Sequence, residues 1–491
     1  MSIAVIGMTS EKHNGKVYLT DSRNETEDSN QLLPLLHFML EDYDIPERNV
    51  HYIRCVWDLQ AFFEPILALL KPEYKDTLVK SGRVEFVIGD EKLRLFWIPD
   101  KLFGVGLKQR VKVRGNFYQE ERYEQNIYQL RDFYQNIVEP PQTALQVERL
   151  GHRLLDEFIH IGMQPTKLIS PANVFQECVL DKMTFVNIYR LPDNAIDFAD
   201  LSARTMTDEW REVYQIGRFE KTWDYDMTSA YPSIIADLPN LHNAEYIESD
   251  KEIECDWGLM TGIATITKDV SPAYKDKLYP KGKFKVDMST EMAKTIRKYN
   301  IGDFECQHGY FIKLTRNDKP FDYIMRRMFE YRGGNQLRDI LAKRMANSFY
   351  GKLAQINDDG SYGDHLNPIY AKMITDRCKN RVVEFLYDNH VENDVIAILV
   401  DGVLLSKFVE VPKLKQFGQW RFNGEFEALV LSDSEVWYGD KRPMGLTFDE
   451  ALKQTKNFGV DKAEYRRMWA KYPDKASDVL KRNYQSTAIT I

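Results

Sequence analysis

The sequence predicts a multidomain protein that mixes α/β and α+β architecture, and three observations predict it. A chain of 491 residues, 43% hydrophobic and 12% aromatic, can bury the cores of two to four domains and is not a disordered polymer. Through the first third, short β-rich runs interleave with amphipathic stretches. Further on, an apolar strand ends in aspartates (KTWDYDM, 221–227) and an Asp-Gly pair sits between β-branched runs (AILVDGVLL, 397–405), both marks of antiparallel sheet.

The elements follow in order. SIAVIG and KVYLTD flank Asn14-Gly15 and read as a β-hairpin. Amphipathic helices are expected over 30–41 and 59–71, and strands over 50–56, 84–88 and 93–98. KLFGVGLKQRVKVRGNFY (101–118) is basic, carries no acid, and interleaves Phe103, Phe117 and Tyr118. That composition suits single-stranded nucleic acid, with charge along the backbone and rings on bases; a solvated loop with its aromatics in the core fits it equally. Helices are further expected over 146–158, 288–300, from about Leu337, and over 371–389.

Composition excludes some classes. A net charge of −8 argues against wholesale attraction to nucleic acid, although nine Lys or Arg stand against four Asp or Glu between Lys313 and Arg344. That run is either a phosphate-facing surface or a solvated helix face. The five cysteines are widely spaced without a CxxC, as in a reducing compartment. No apolar run approaches the roughly 18 residues that span a bilayer, so a soluble cytoplasmic protein without a membrane partner is expected.

The chemistry concentrates in three stretches. In KTWDYDMTSAYPSII (221–235), strand alternation puts Asp224 and Asp226 on one face, about 7 Å apart, with Trp223 and Tyr225 on the other. Such carboxylates either meet solvent or hold a cation, because a buried unpaired charge is costly. In AKRMANSFYGKL (342–353), Lys343, Asn347 and Tyr350 recur at i, i+4 and i+7 on one helical face. In AILVDGVLLSK (397–407), Asp401-Gly402 is read as the two-residue turn of a hairpin.

Together these stretches resemble motifs A, B and C of family B DNA polymerases, of the small phage or plasmid type. Asp226, Ser229, Tyr231, Pro232 and Ser233 match Asp-x-x-Ser-Leu-Tyr-Pro-Ser, with Ala230 in place of Leu. Lys343, Asn347, Ser348, Tyr350 and Gly351 match Lys-x-x-x-Asn-Ser-x-Tyr-Gly in full. Motif C departs from Asp-Thr-Asp, since Asp401 falls on the first Asp and Val403 on the second. Tyr214, Gly217 and Arg218 match in part the Tyr-x-Gly-Gly linker that contacts nucleic acid, and Glu435-Val436-Trp437-Tyr438 lacks the lysine of the primer-gripping Lys-x-Tyr.

The resemblance implies a right-hand polymerase, with palm, fingers and thumb, behind an exonuclease-like (RNase H-like) α/β domain. The expected boundaries are 1–180 for the exonuclease-like domain, 181–312 and 356–440 for the palm, 313–355 for the fingers and 441–491 for a small basic thumb. The first strand offers Gly7 and Thr9 where the nuclease acids would stand, so this domain is expected to be inactive; an unrelated α/β domain is the alternative. The resemblance further implies two-metal nucleotidyl transfer with Mg2+ or Mn2+ on Asp226 and Asp401. Strand periodicity, not the family pattern, offers Asp224 as a substitute for the acid absent at Val403, with Val403→Asp expected to restore it in part, and an Asp224 that merely meets solvent or an Arg is the alternative. Lys343, with Arg338 or Arg332, would hold the triphosphate; Asn347 and Tyr350 the nucleotide; Tyr231 would exclude a 2′-hydroxyl. Primer-template DNA and deoxynucleoside triphosphates are the implied partners, with a terminal protein or replication accessory factor in addition. A polymerase-shaped nucleic-acid-binding protein without catalysis is the second reading.

Overall fold

The computed structural model describes residues 2–40, 50–98, 101–114, 117–134, 137–183, 187–206, 210–268, 281–333, 335–357, 360–412, 416–432, 435–441 and 443–457. The chain divides into two compact units, Met1–Met183 with Glu330–Phe349, and Thr184–Phe329 with Tyr350–Ile491.

The first unit opens with β1 (Ser2–His13), β2 (Lys16–Asp21), β3 (Thr26–Ser29), α1 (Leu32–Leu40), β4 (Val50–Val56), α2 (Leu59–Leu67) and α3 (Pro72–Ser81). It continues with β5 (Arg83–Ile88), β6 (Glu91–Ile98), β7 (Leu102–Arg114), β8 (Phe117–Gln129), α4 (Arg131–Tyr134), α5 (Ala144–His160) and α6 (Pro171–Cys178). Its strands make one sheet in the order β3-β2-β1-β4-β8-β7-β6-β5, with β4 parallel to both β1 and β8. The predicted hairpin turn forms at Asn14 and Gly15, at φ 49° and 78°, the left-handed pair that matches strand twist.

Two expectations change here. The helix expected over 59–71 ends at Leu67, and Lys71, preceding Pro72, is held in extended backbone at φ −60° and ψ 144°, from which a separate helix, α3, begins. The expected loop is instead long antiparallel strand, 102–114 pairing as β7 with β8, and Phe103 is buried in the core. The side chains of Phe117 and Tyr118 lie outside the described residues.

β1 is buried on both faces. Ile6 and Met8 enter the core shared with α1 and α2, while Val5 and Gly7 meet α5. A Cβ on Gly7 would stand 2.1 Å from the Ala144 carbonyl oxygen and 2.4 Å from the Glu148 nitrogen, and one on Gly151 would stand 2.6 Å from Val5 Cγ1. The two glycines therefore set how closely helix and strand approach. Thr143 fixes where that helix starts, through a reciprocal capping box with Gln146.

The second unit holds α7 (Ile196–Thr205), β9 (Arg211–Val213), β10 (Gly217–Met227), α8 (Ala230–Ala236), β11 (Ala244–Ser249), β12 (Trp257–Ile266), β13 (Gly282–Ser289), α9 (Thr290–Lys298), β14 (Gly302–Leu314) and α10 (Asp322–Glu330). α11 (Gln336–Leu353) runs across the division, followed by α12 (Pro368–Asp388), β15 (Val395–Leu399), β16 (Gly402–Leu405), β17 (Trp420–Ser432), β18 (Glu435–Tyr438) and α13 (Phe448–Asn457). Two sheets form, β18-β17-β10-β16-β15-β9 and β11-β14-β12-β13. One core joins them, with Tyr225, Val403 and Leu405 from the first, Met260 and Phe311 from the second, and Val382 and Phe385 from α12. Beyond α13, the expected thumb lies outside the described residues. Among the described residues no helix is long and apolar enough to cross a membrane.

Candidate active site

β10 lies inside its sheet, with β16 on one side and β17 on the other. Asp226 stands opposite Gly402 and Arg421, Tyr225 opposite Val403 and Phe422, and Asp224 opposite Leu404 and Gly424. Directly paired residues share a face, so Tyr225 and Val403 enter the core while Asp224 and Asp226 point the other way. The Tyr225 hydroxyl is fixed there, donating to the Val409 carbonyl at 2.9 Å and accepting from the Val409 N–H at 2.6 Å. The predicted alternation of this strand is thus present.

The hairpin is also present, but its turn is one residue earlier than the sequence suggests. Leu399 pairs with Gly402, which leaves Val400 and Asp401 as the turn and makes Gly402 the first residue of β16. The Asp401 N–H reaches the Leu399 carbonyl at 3.0 Å across Val400, whose φ is 71°. This is a γ-turn with a left-handed, β-branched central residue, a strained conformation. The Val400 N–H donates to the Trp210 carbonyl at 2.7 Å, which ties the strained residue to its neighbour. Gly402 sits at a close approach, since a Cβ there would lie 3.0 Å from the Tyr225 carbonyl oxygen, tighter than most side chains come to a backbone. The expectation that Val403 marks a vacated ligand position is corrected: it is fully buried on the apolar face, turned away from Asp226.

Asp401 sits beside the end of β10, its carbonyl accepting from the Met227 N–H at 3.0 Å. Asp226 Oδ2 accepts from Arg421 Nη2 at 2.6 Å. Asp224 is buried, and both its oxygens are engaged: Oδ2 by Asn423 Nδ2 at 2.9 Å and Oδ1 by the Tyr438 hydroxyl at 3.2 Å. Burial pushes the Asp224 carboxyl above its ordinary range, against the pull of Lys441, Asn423 and Tyr438. The Lys441 ammonium in turn bonds the Tyr438 hydroxyl and lies 4.1 Å from the centre of its ring. Asn423 reaches Asp224 because β17 carries a bulge there, with Asp224 paired to Gly424 and Tyr225 to Phe422. Arg421 and Asn423 had no signal in the sequence, since each meets its aspartate through strand pairing and a bulge that no local pattern encodes; Lys441 lies only three residues from Tyr438, but its place beside Asp224 depends on the Tyr438–Asp224 contact between distant strands.

After β10 the chain turns at Ser229, φ 56°, into α8. Ser233 of that helix accepts from Arg381 Nη1 of α12 at 2.9 Å, which anchors the Ser-Ala-Tyr-Pro-Ser segment. Tyr231 and Tyr350 meet edge to face, ring centres 4.9 Å apart, so two of the predicted nucleotide-binding residues come together. Lys343 and Asn347 are exposed on α11 and belong to the first unit. Arg338 is engaged within that unit by Glu157 at 2.8 Å, and Arg332 lies 3.5 Å from Asp339. Arg218 pairs with Glu427 across β10 and β17, and the Tyr214 hydroxyl donates to Glu212 at 2.7 Å. Gly217 is at φ 142°.

This geometry has relatives. The chain matches phi29 DNA polymerase in its ternary complex with primer-template DNA and incoming nucleotide, with TM-score 0.55 and 13% identity over 89% of this chain and 86% of that one. The binary complex of phi29 DNA polymerase with primer-template DNA matches at TM-score 0.54 and 12% identity, covering 88% and 87%. The chain has the fold of a small family B DNA polymerase. It is a right-hand polymerase fold with an exonuclease-like domain, as the motifs implied. In sequence, a DNA polymerase of Acidianus bottle-shaped virus (isolate Italy/Pozzuoli) is 24% identical over 274 residues, 51% of this chain. The chain spans 39% of the length of that viral relative. No family model matches.

Proposed function

We propose that this chain is a template-directed DNA polymerase that adds deoxynucleotides to a primer 3′ end, without proofreading. The observation that carries the reading is the bond from the Met227 N–H, next to Asp226 at the end of β10, to the Asp401 carbonyl in the β15–β16 turn, which brings the two aspartate-bearing segments side by side within a fold shared with a DNA polymerase.

The donor set suits a hard cation. Among the described residues no group of three or more His, Cys, Asp or Glu is gathered to hold a metal by itself. Mg2+ needs less, because it commonly takes one or two carboxylates and fills its shell with water and substrate phosphate oxygens. Asp226 and Asp401 would hold it; Asp224, with both oxygens engaged by neutral donors, supports the strand instead. A bound Mg2+ or Mn2+ would supply activation of the primer hydroxyl and neutralise charge on the triphosphate and leaving pyrophosphate.

The remaining roles rest on the motifs. Exposed Lys343 binds phosphate as a point charge, and this reading favours it over Arg338 and Arg332, which are occupied by Glu157 and Asp339. Asn347 and Tyr350 take the nucleotide, and Tyr231 sits beneath the sugar and leaves no space for a ribose hydroxyl. Tyr214, Gly217 and Arg218 face the nucleic acid. The absence of proofreading is supported by Gly7, where the backbone of α5 fills the space a carboxylate would need.

Primer extension with Mg2+ and with Mn2+, comparing the natural chain with Asp226→Ala, tests the reading. Extension that Asp226→Ala abolishes is expected. Failure of the natural chain to extend a primer with either metal would overturn it.

A further inference from the structure

Arg421 stands directly across from Asp226 in the β10–β17 pairing. Nη2 is 2.6 Å from Oδ2, and both side chains are about a third exposed, 32% and 27%. A guanidinium cannot shed its proton in a protein, so this is a permanent positive charge on the carboxylate that a cation would use. The same guanidinium is poorly satisfied elsewhere, because its Nε is buried with no acceptor among the described residues. A buried donor without an acceptor is a cost the chain recovers if the side chain swings out. Partial exposure leaves the path to solvent open.

We propose that Arg421 is a placeholder cation: it occupies Asp226 in the resting chain and must leave before a divalent ion can bind, so it sets the metal affinity of the site. The inference rests on the polymerase reading only in taking Asp226 as the carboxylate that a metal uses. Guanidinium and metal compete for one oxygen, and a positive charge left within a few ångströms would oppose a doubly charged ion. The consequence is a site that fills readily when phosphates bring additional negative oxygens and binds metal only weakly when they are absent.

The test is Mn2+ binding to the full chain without DNA or nucleotide, read from the free-ion signal in electron paramagnetic resonance. Arg421→Gln is expected to bind Mn2+ about tenfold more tightly than the natural chain. Asp226→Asn is expected to bind at least tenfold more weakly. If Arg421→Gln does not fold, Arg421→Lys decides, since its single-point ammonium loses the fork geometry and should give about threefold tighter binding. Equal affinity in the natural chain and the folded Arg421 variant, with Asp226→Asn still weakening binding, overturns the placeholder and leaves the polymerase reading standing. Binding that is indifferent to Asp226→Asn overturns both.

Discussion

Tyr225 and Val403 face each other across β10 and β16, both fully buried on the core side of the sheet. A carboxylate at Val403 would therefore enter apolar packing between the sheet and α12 and not join Asp226. Val403→Asp is expected to lower stability by about 3 kcal/mol or more, read by urea unfolding, without raising primer extension. Increased extension in that variant would show that the pairing register is wrong.

Asp226 and Asp401 are expected to be indispensable, and Asp224 is not. Alanine at Asp226 or Asp401 should reduce extension by about a thousandfold, while Asp224→Asn should keep it within roughly tenfold. Single-turnover extension at saturating nucleotide separates the two classes.

The raised Asp224 carboxyl makes a prediction about pH. Burial makes its ionisation harder in the folded chain than in the unfolded one, so the folded state binds that proton more tightly. Its contribution to stability is then fullest at low pH and is lost as pH rises from the ordinary value of 3.8 towards the raised folded value. Asp224→Asn removes this loss, and its melting temperature relative to the natural chain should climb across that window. A flat difference would mean that Asp224 is not desolvated.

Tyr231 is expected to select the sugar. Tyr231→Ala should raise the ratio of ribonucleotide to deoxynucleotide incorporation by one to two orders of magnitude, worth about 1.4–2.8 kcal/mol of discrimination. Gel analysis of alkali-labile products checks it, and an unchanged ratio removes the assignment.

No 3′ shortening of a labelled mismatched primer is expected, and restoring an acid at Gly7 should not create it. Gly7→Asp would drive a side chain into the backbone of α5 at Ala144 and Glu148, so loss of the folded state, seen by circular dichroism, is the outcome anticipated. A folded, nuclease-active Gly7→Asp chain would refute the packing argument.

Much of this was legible in the chain. Tyr225 between two aspartates reads as one strand with two faces, and Asn14-Gly15 reads as one turn, because both are local rules of backbone geometry. Asp401-Gly402 misled for an instructive reason. Asp-Gly is a favoured turn pair, but here glycine sits where β16 passes closely over the Tyr225 carbonyl, and the left-handed residue is Val400, which propensity disfavours. Arg421 and Asn423 were illegible, since they reach Asp226 and Asp224 across sequence separations of 195 and 199 residues.

The first unit is discontinuous: Glu330–Phe349 belongs with Met1–Met183, through Arg338 on Glu157, Arg344 Nη1 on the Asp132 carbonyl and Phe349 against Phe175. During synthesis these partners must wait for the ribosome to make Thr184–Phe329, on the order of ten seconds at bacterial rates. Until then Phe175 and Glu157 lack the helix that covers them. A gene fragment ending near Met183 should accordingly yield an aggregation-prone product, and co-expressed 330–349 peptide should improve its recovery.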